Sequence, residues 1–124
     1  MNIEHLTENG VNLAVVSDND KIIVDTQSAL DLVMTVNYET GAERIVLNKE
    51  NIAEDFFVLS TGMAGEILQK FINYHIKVAI YGDYSKYTSK PLKDFIYESN
   101  HGKDIFFVET KDEAIQKLAD ATAG

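Results

Sequence analysis

Hydrophobic and polar positions alternate in period along this chain, and the changes of period mark its elements. Residues 2 to 7 and 11 to 17 ("VNLAVVS") are short runs with β-branched content on either side of "ENG", a glycine turn, so they predict a β-hairpin. "KIIVD" either extends the strand system or leads into the next helix. "DTQSALDLVMTVNYETG" has helical spacing, with Asp25 or Thr26 at the cap and Gly41 past the end. Gln27, Ser28, Asp31, Thr35 and Tyr38 form its narrow polar stripe. The apolar arc of Ala29, Leu30, Leu32, Val33, Met34 and Val36 is wider than one core-facing stripe needs. That arc has two readings: a deeply buried helix, or one with an exposed flank for a partner.

"RIVLNK" predicts a central strand covered on both faces, as parallel strands are. A connector, "ENIAEDFFVL", leads to a second helix, "STGMAGEILQKFINY", with Met63, Ala64, Ile67, Leu68, Phe71 and Ile72 on one side. "IKVAIYG" is the next strand, followed by the polar loop "GDYSKYT". "SKPLKDFIYESNHG" is a third helix with Ser89 at its cap and Pro91 in its first turn. "DIFFVE" is a last strand, and "TKDEAIQKLAD" a final helix in which Thr110 and Glu113 fit a capping box. The expected order is ββαβαβαβα: an α/β domain with a mixed, mostly parallel sheet of about five strands and four helices. One domain over residues 1–120 is expected, with 121–124 a frayed tail.

Composition narrows the function more than the fold. The 124 residues suit one core, and 45% hydrophobic with 25% charged residues is ordinary for a globular chain. Twenty acidic against eleven basic side chains leave a net charge of −9, which disfavours nucleic acid and anionic membrane surfaces as partners. With no cysteine, disulfides, thiolate catalysis and cysteine-bound zinc are excluded. "MNIEHLTENG" has neither the basic nor the apolar region of a signal peptide, and no apolar run spans a bilayer, so a cytoplasmic protein is expected.

In open α/β sheets, ligands bind beyond the carboxyl ends of the strands. Those ends carry Asn48 and Lys49, then Gly82, Asp83, Tyr84, Ser85 and Lys86, with Ser60 and Thr61 on the same rim. Either hydroxyl can cap the second helix, while Gly62 and Gly65 let it pack close to the sheet. One cap suffices, so the second hydroxyl invites an anion site or a phosphorylation site at a helix start, with Lys49 and Lys86 as neighbours. Asp55 and Asp83 are candidate paired carboxylates, or turn caps. "YSKYTSK" groups Ser, Tyr and Lys without a histidine relay, so no catalytic residue is assigned. His5, His75 and His101 share no ligand spacing, and neither a metal nor a cofactor is expected.

The strings "QSALDLVMTVNYETGAERIVLNKENIAEDFFVLSTGMAGEILQKFINY" and "GDYSKYTSKPLKDFIYESNHGKDIFFVET" closely resemble the bacterial domain-of-unknown-function family 4180. That resemblance implies a fold and brings no activity. The element order more distantly resembles the STAS fold of anti-sigma-factor antagonists, in which a kinase phosphorylates an Asp-Ser-Ser/Thr-Gly motif at a helix start. "LSTG" occupies the matching place: Ser60 and Thr61 match the hydroxyls and Gly62 the glycine, while Leu59 replaces the aspartate. The resemblance implies a non-enzymatic regulatory module that meets a protein partner, a kinase or regulatory factor. The alternative is a small-ligand protein that binds a nucleotide or other anion on the rim. A homodimer through the apolar first helix suits either.

Overall fold

Strands whose residues are apolar on both sides require a cover on each face of the sheet. The structure, a computed structural model, describes residues 1–121 and has that arrangement. Five strands, β1 (Asn2–Glu8), β2 (Val11–Ser17), β3 (Arg44–Asn48), β4 (Lys77–Tyr81) and β5 (Ile105–Val108), lie side by side in chain order. β1 is antiparallel to β2, and every later neighbour is parallel. The helices are α1 (Thr26–Thr40), α2 (Met63–Asn73), α3 (Lys90–Asn100) and α4 (Lys111–Asp120).

The register explains the two cores. Ala14, Ile45, Val78 and Ile105 align across the parallel strands, and the α1, α2 and α3 side chains pack on their face. Leu13, Val15, Val46, Ala79 and Phe106 point the other way, against Ala114 and Leu118 of α4. Crossovers that always step to the next strand with one hand lay their helices on the same face, which leaves α4 alone on the other.

Local chemistry sets the boundaries. Asn9 and Gly10 both have positive φ, 51° and 76°, as a two-residue hairpin turn of this hand requires. Asp25 caps α1 and exchanges a reciprocal pair of hydrogen bonds with Ser28, and Gly41 ends the helix at φ 71°. "KIIVD" forms neither a full strand nor a simple lead-in: Ile23 makes a single parallel bridge to Ile52. The buried Asn51 amide holds this crossing by donating to the carbonyls of Asp18 and Asp20.

Two expectations change in detail. The apolar arc of α1 divides: Ala29, Leu32, Val33 and Val36 are buried, while Met34 is 59% exposed. Between β3 and α2 the chain makes three 3-10 turns, Lys49–Asn51, Glu54–Phe57 and Leu59–Thr61, where a single connector into a helix at Ser60 was expected. Gly62, at φ 77°, separates the last of these turns from α2. At the amino end of the sheet the cations are occupied. Arg44 donates to the carbonyls of Leu118 and Ala121, and buried Lys77 to Asp104 and the Lys103 carbonyl. Residues 122–124 of the expected frayed tail lie outside the described residues.

Candidate functional site

The carboxyl rim of the sheet is built outward from β3. Asn48 ends the strand, and its side-chain oxygen accepts the Glu50 amide, turning the chain into its first 3-10 turn. That turn drives Lys49 inward, to 3% exposed. Just past β4 the chain crosses above it at Gly82, where a Cβ would stand 2.6 Å from the Lys49 Cβ, so only glycine fits there.

A buried ammonium needs compensation. Lys49 Nζ lies 3.5 Å from Glu54 Oε1 and 3.7 Å from Glu50 Oε1. It also faces the rings of Phe57 and Tyr87, at 5.3 and 5.0 Å. Glu54 is the hub: Lys86 donates to it at 2.9 Å, and the Tyr87 hydroxyl at 2.9 and 3.0 Å. Burial pushes the Glu54 carboxyl up, but the bonds from Lys86 and Tyr87 and the charges of Lys49 and Lys86 outweigh it and hold it below the ordinary glutamate value. Conversely, the Glu54 bond raises Lys86, and burial followed by the same carboxylate raises Tyr87. Phe57 stacks on Tyr87 at 5.3 Å and meets Phe56 edge-on at 5.0 Å. The β4–α3 loop is thus latched onto the turn Glu54–Phe57.

The paired hydroxyls stand apart from this latch. The Thr61 hydroxyl donates toward the carbonyls of Asp55 and Val58, each at 2.9 Å, and accepts the Met63 amide at 3.2 Å. Thr61 therefore straps its own turn. Ser60 is exposed, and among the described residues its hydroxyl has no protein partner. α2 has Gly62 at its N-cap and no side-chain cap there, and Glu66 in its first turn bonds Thr26 at the start of α1.

The sequence-expected residues therefore fall into three groups. Asn48, Asp83 and Ser85 line one open cleft of about 750 Å³ with Tyr81, Gly82, Tyr84, Glu109 and Thr110. Lys49 and Lys86 belong to the Glu54 latch, not to the hydroxyls they were expected to neighbour. Ser60, Thr61 and Gly62 form the separate turn. Asp55 and Asp83 do not pair. The Asp55 carbonyl serves Thr61, while the Asp83 carboxylate accepts the Ser85 amide at 2.8 Å. Bonds from the Ser85 side chain and backbone, then the nearby lysines, hold Asp83 low. The charged side chains lining the cleft, Asp83 and Glu109, are both acidic.

Sequence reasoning placed Tyr84 on the rim but missed Glu54, Phe57 and Tyr87. Their signal was two tyrosines three apart in an otherwise polar loop, matching two phenylalanines in a polar connector. The Tyr84 hydroxyl, bonded to the Ile80 carbonyl at 2.6 Å, folds that loop back on its strand. Among the described residues no three His, Cys, Asp or Glu side chains gather as a metal site, and no helix is long and apolar enough to cross a membrane.

An α/β sheet stepping in chain order, with a polar rim, is the class these features define. Residues 8–118 match the family described as Domain of unknown function (DUF4180), and the chain belongs to that family. Comparison with curated proteins and with solved structures gives no match.

Proposed function

We propose that this chain is a STAS-like protein-interaction module whose switch is phosphorylation of Ser60. The observation that carries the reading is the unequal state of the two hydroxyls: both residues are exposed, but Thr61 makes three hydrogen bonds, whereas among the described residues Ser60 has no protein partner. A kinase needs a hydroxyl that can leave the surface without breaking the fold, and Ser60 meets that condition. The sheet stepping in chain order and the glycine after the hydroxyls also support it. Leu59, in the aspartate's place, packs against the core, so this position of the motif carries no carboxylate. A phosphate on Ser60 adds nearly two negative charges at the entry to α2, where the helix dipole favours them, and gives a partner a bidentate acceptor.

The test compares the phosphate mimic Ser60→Glu with Thr61→Glu and the unmodified chain in binding to proteins from the source cells. Gain or loss of a defined partner in Ser60→Glu, absent in Ser60→Ala, is expected. An identical partner set in all variants overturns the switch.

The cleft favours a second reading, a small-ligand site. Its acidic lining suits a ligand with an amine or other cation better than the nucleotide or anion expected from the rim's lysines, because those lysines bond elsewhere. A ligand at a hundred times its Kd adds about 2.7 kcal/mol to stability, so a thermal-shift series of amines against sugar phosphates separates the two ligand classes.

A further inference from the structure

The two edges of the sheet are finished differently. At β5, the Asn100 side chain reaches from α3 and occupies the outward backbone: it donates to the Phe107 carbonyl at 3.0 Å and accepts the Phe107 amide at 2.7 Å. A further strand cannot pair there without displacing it. At β1, the seven residues of Asn2–Glu8 lie in register with β2, which bonds alternate backbone units on one side. Among the described residues nothing hydrogen-bonds their other side. An uncovered edge of this length is a template for strand addition.

The edge also has a charge. Glu4, Leu6 and Glu8 share the α4 face, since Leu6 lies opposite Leu13 and packs into the core on that side. Asn9 carries the carboxylate of Asp120 alongside, through a 3.2 Å bond. No lysine or arginine occurs before Lys21. Two-fold pairing of β1 with a second copy keeps directly opposite residues on one face, so it crowds all four glutamates of the two strands together. It also sets one −9 surface against another. An incoming strand with basic residues on that face and apolar ones between them has the opposite result.

We propose that β1 is a docking edge for an extended, basic segment of a partner protein, added as a sixth strand. The carboxylates that repel a second copy select the partner by charge, and the free backbone groups hold it by a ladder. Docking at this edge does not require the Ser60 switch, and each stands or falls on its own experiment.

The probe is an acetylated, amidated peptide, Thr-Lys-Val-Lys-Val-Lys-Thr, with two controls: lysines replaced by glutamate, and alternate amides N-methylated on one edge at a time. Binding is read by fluorescence anisotropy, and amide hydrogen exchange is followed at residues 2–8. The lysine peptide is expected to bind and slow β1 exchange at least tenfold. The glutamate peptide and one of the two N-methylated peptides are expected to do neither. The exposed double variant Glu4→Lys/Glu8→Lys is expected to reverse the preference toward the glutamate peptide. Equal binding of both N-methylated peptides means charge adsorption without a ladder and overturns the proposal. So does a dimer in solution whose β1 amides are already slow, because a second copy then holds the edge.

Discussion

Two polar segments sit a few residues apart in this chain and use their polarity in opposite ways. Glu54 spends its carboxylate on Lys49, Lys86 and Tyr87, joining the turn Glu54–Phe57 to the β4–α3 loop. The turn Leu59–Thr61 spends one hydroxyl on itself and leaves the other to solvent. A polar residue's availability depends on what is buried beside it. Lys49 lies beneath Gly82 with its charge inside the protein, so the groups near it are recruited to compensate. Among the described residues no buried charged side chain bonds Ser60, and its hydroxyl is left unrecruited.

The sharpest way to break this contrast is to remove the aromatic floor of the latch. Phe57→Ala vacates a buried ring stacked on Tyr87 and is expected to cost about 3–5 kcal/mol in urea unfolding. Glu54→Gln keeps the shape but takes the charge from a half-exposed hub facing a buried ammonium. A loss of about 1–3 kcal/mol is expected, between surface and buried ion-pair values. The same variant gives the pH dependence. Glu54 is held below its ordinary value, so its contribution is complete above the unfolded carboxyl's value and is lost as pH falls through the folded one. The stability difference between the native chain and Glu54→Gln is therefore expected to stay level above about pH 5 and shrink in more acid solution.

On the other side of the contrast the effects are smaller. Thr61→Val removes the strap of the 59–61 turn, and about 1 kcal/mol is expected, because both carbonyls it serves also accept backbone amides. Ser60→Ala is expected to change stability by less than about 0.5 kcal/mol, as an exposed, unbonded position should. Equal losses from these two substitutions, in calorimetry at one pH, would erase the distinction between the hydroxyls.

The fold was legible where period and caps agree. The apolar runs "RIVLN" and "KVAIY", the Asp25 and Thr110 caps and the Gly41 stop all act locally, and local patterns are written in adjacent residues. The rim was legible only as a neighbourhood. The expectation that polar residues collect at the carboxyl ends led to Asn48, Asp83 and Ser85, which do share a cleft. It led to Asp55 rather than Glu54, because which of two adjacent carboxylates turns inward depends on a 3-10 turn that no periodicity marks. The burial of Lys49 was hidden for the same reason: its cause is the passage of Gly82 overhead, a contact between residues 33 apart in sequence. In the sequence Ser60 and Thr61 are equivalent hydroxyls, and only the hydrogen bonds of Thr61 separate them.

The most direct measurement is phosphopeptide mapping of the chain isolated from its source cells, covering residues 54–70 in the native protein and in Ser60→Ala. A single phosphate on Ser60, absent from the variant and not transferred to Thr61, is the expected result. An unmodified Ser60 in every growth condition, or a phosphate on Thr61 in the native chain, contradicts the claim that the unbonded hydroxyl is the switch.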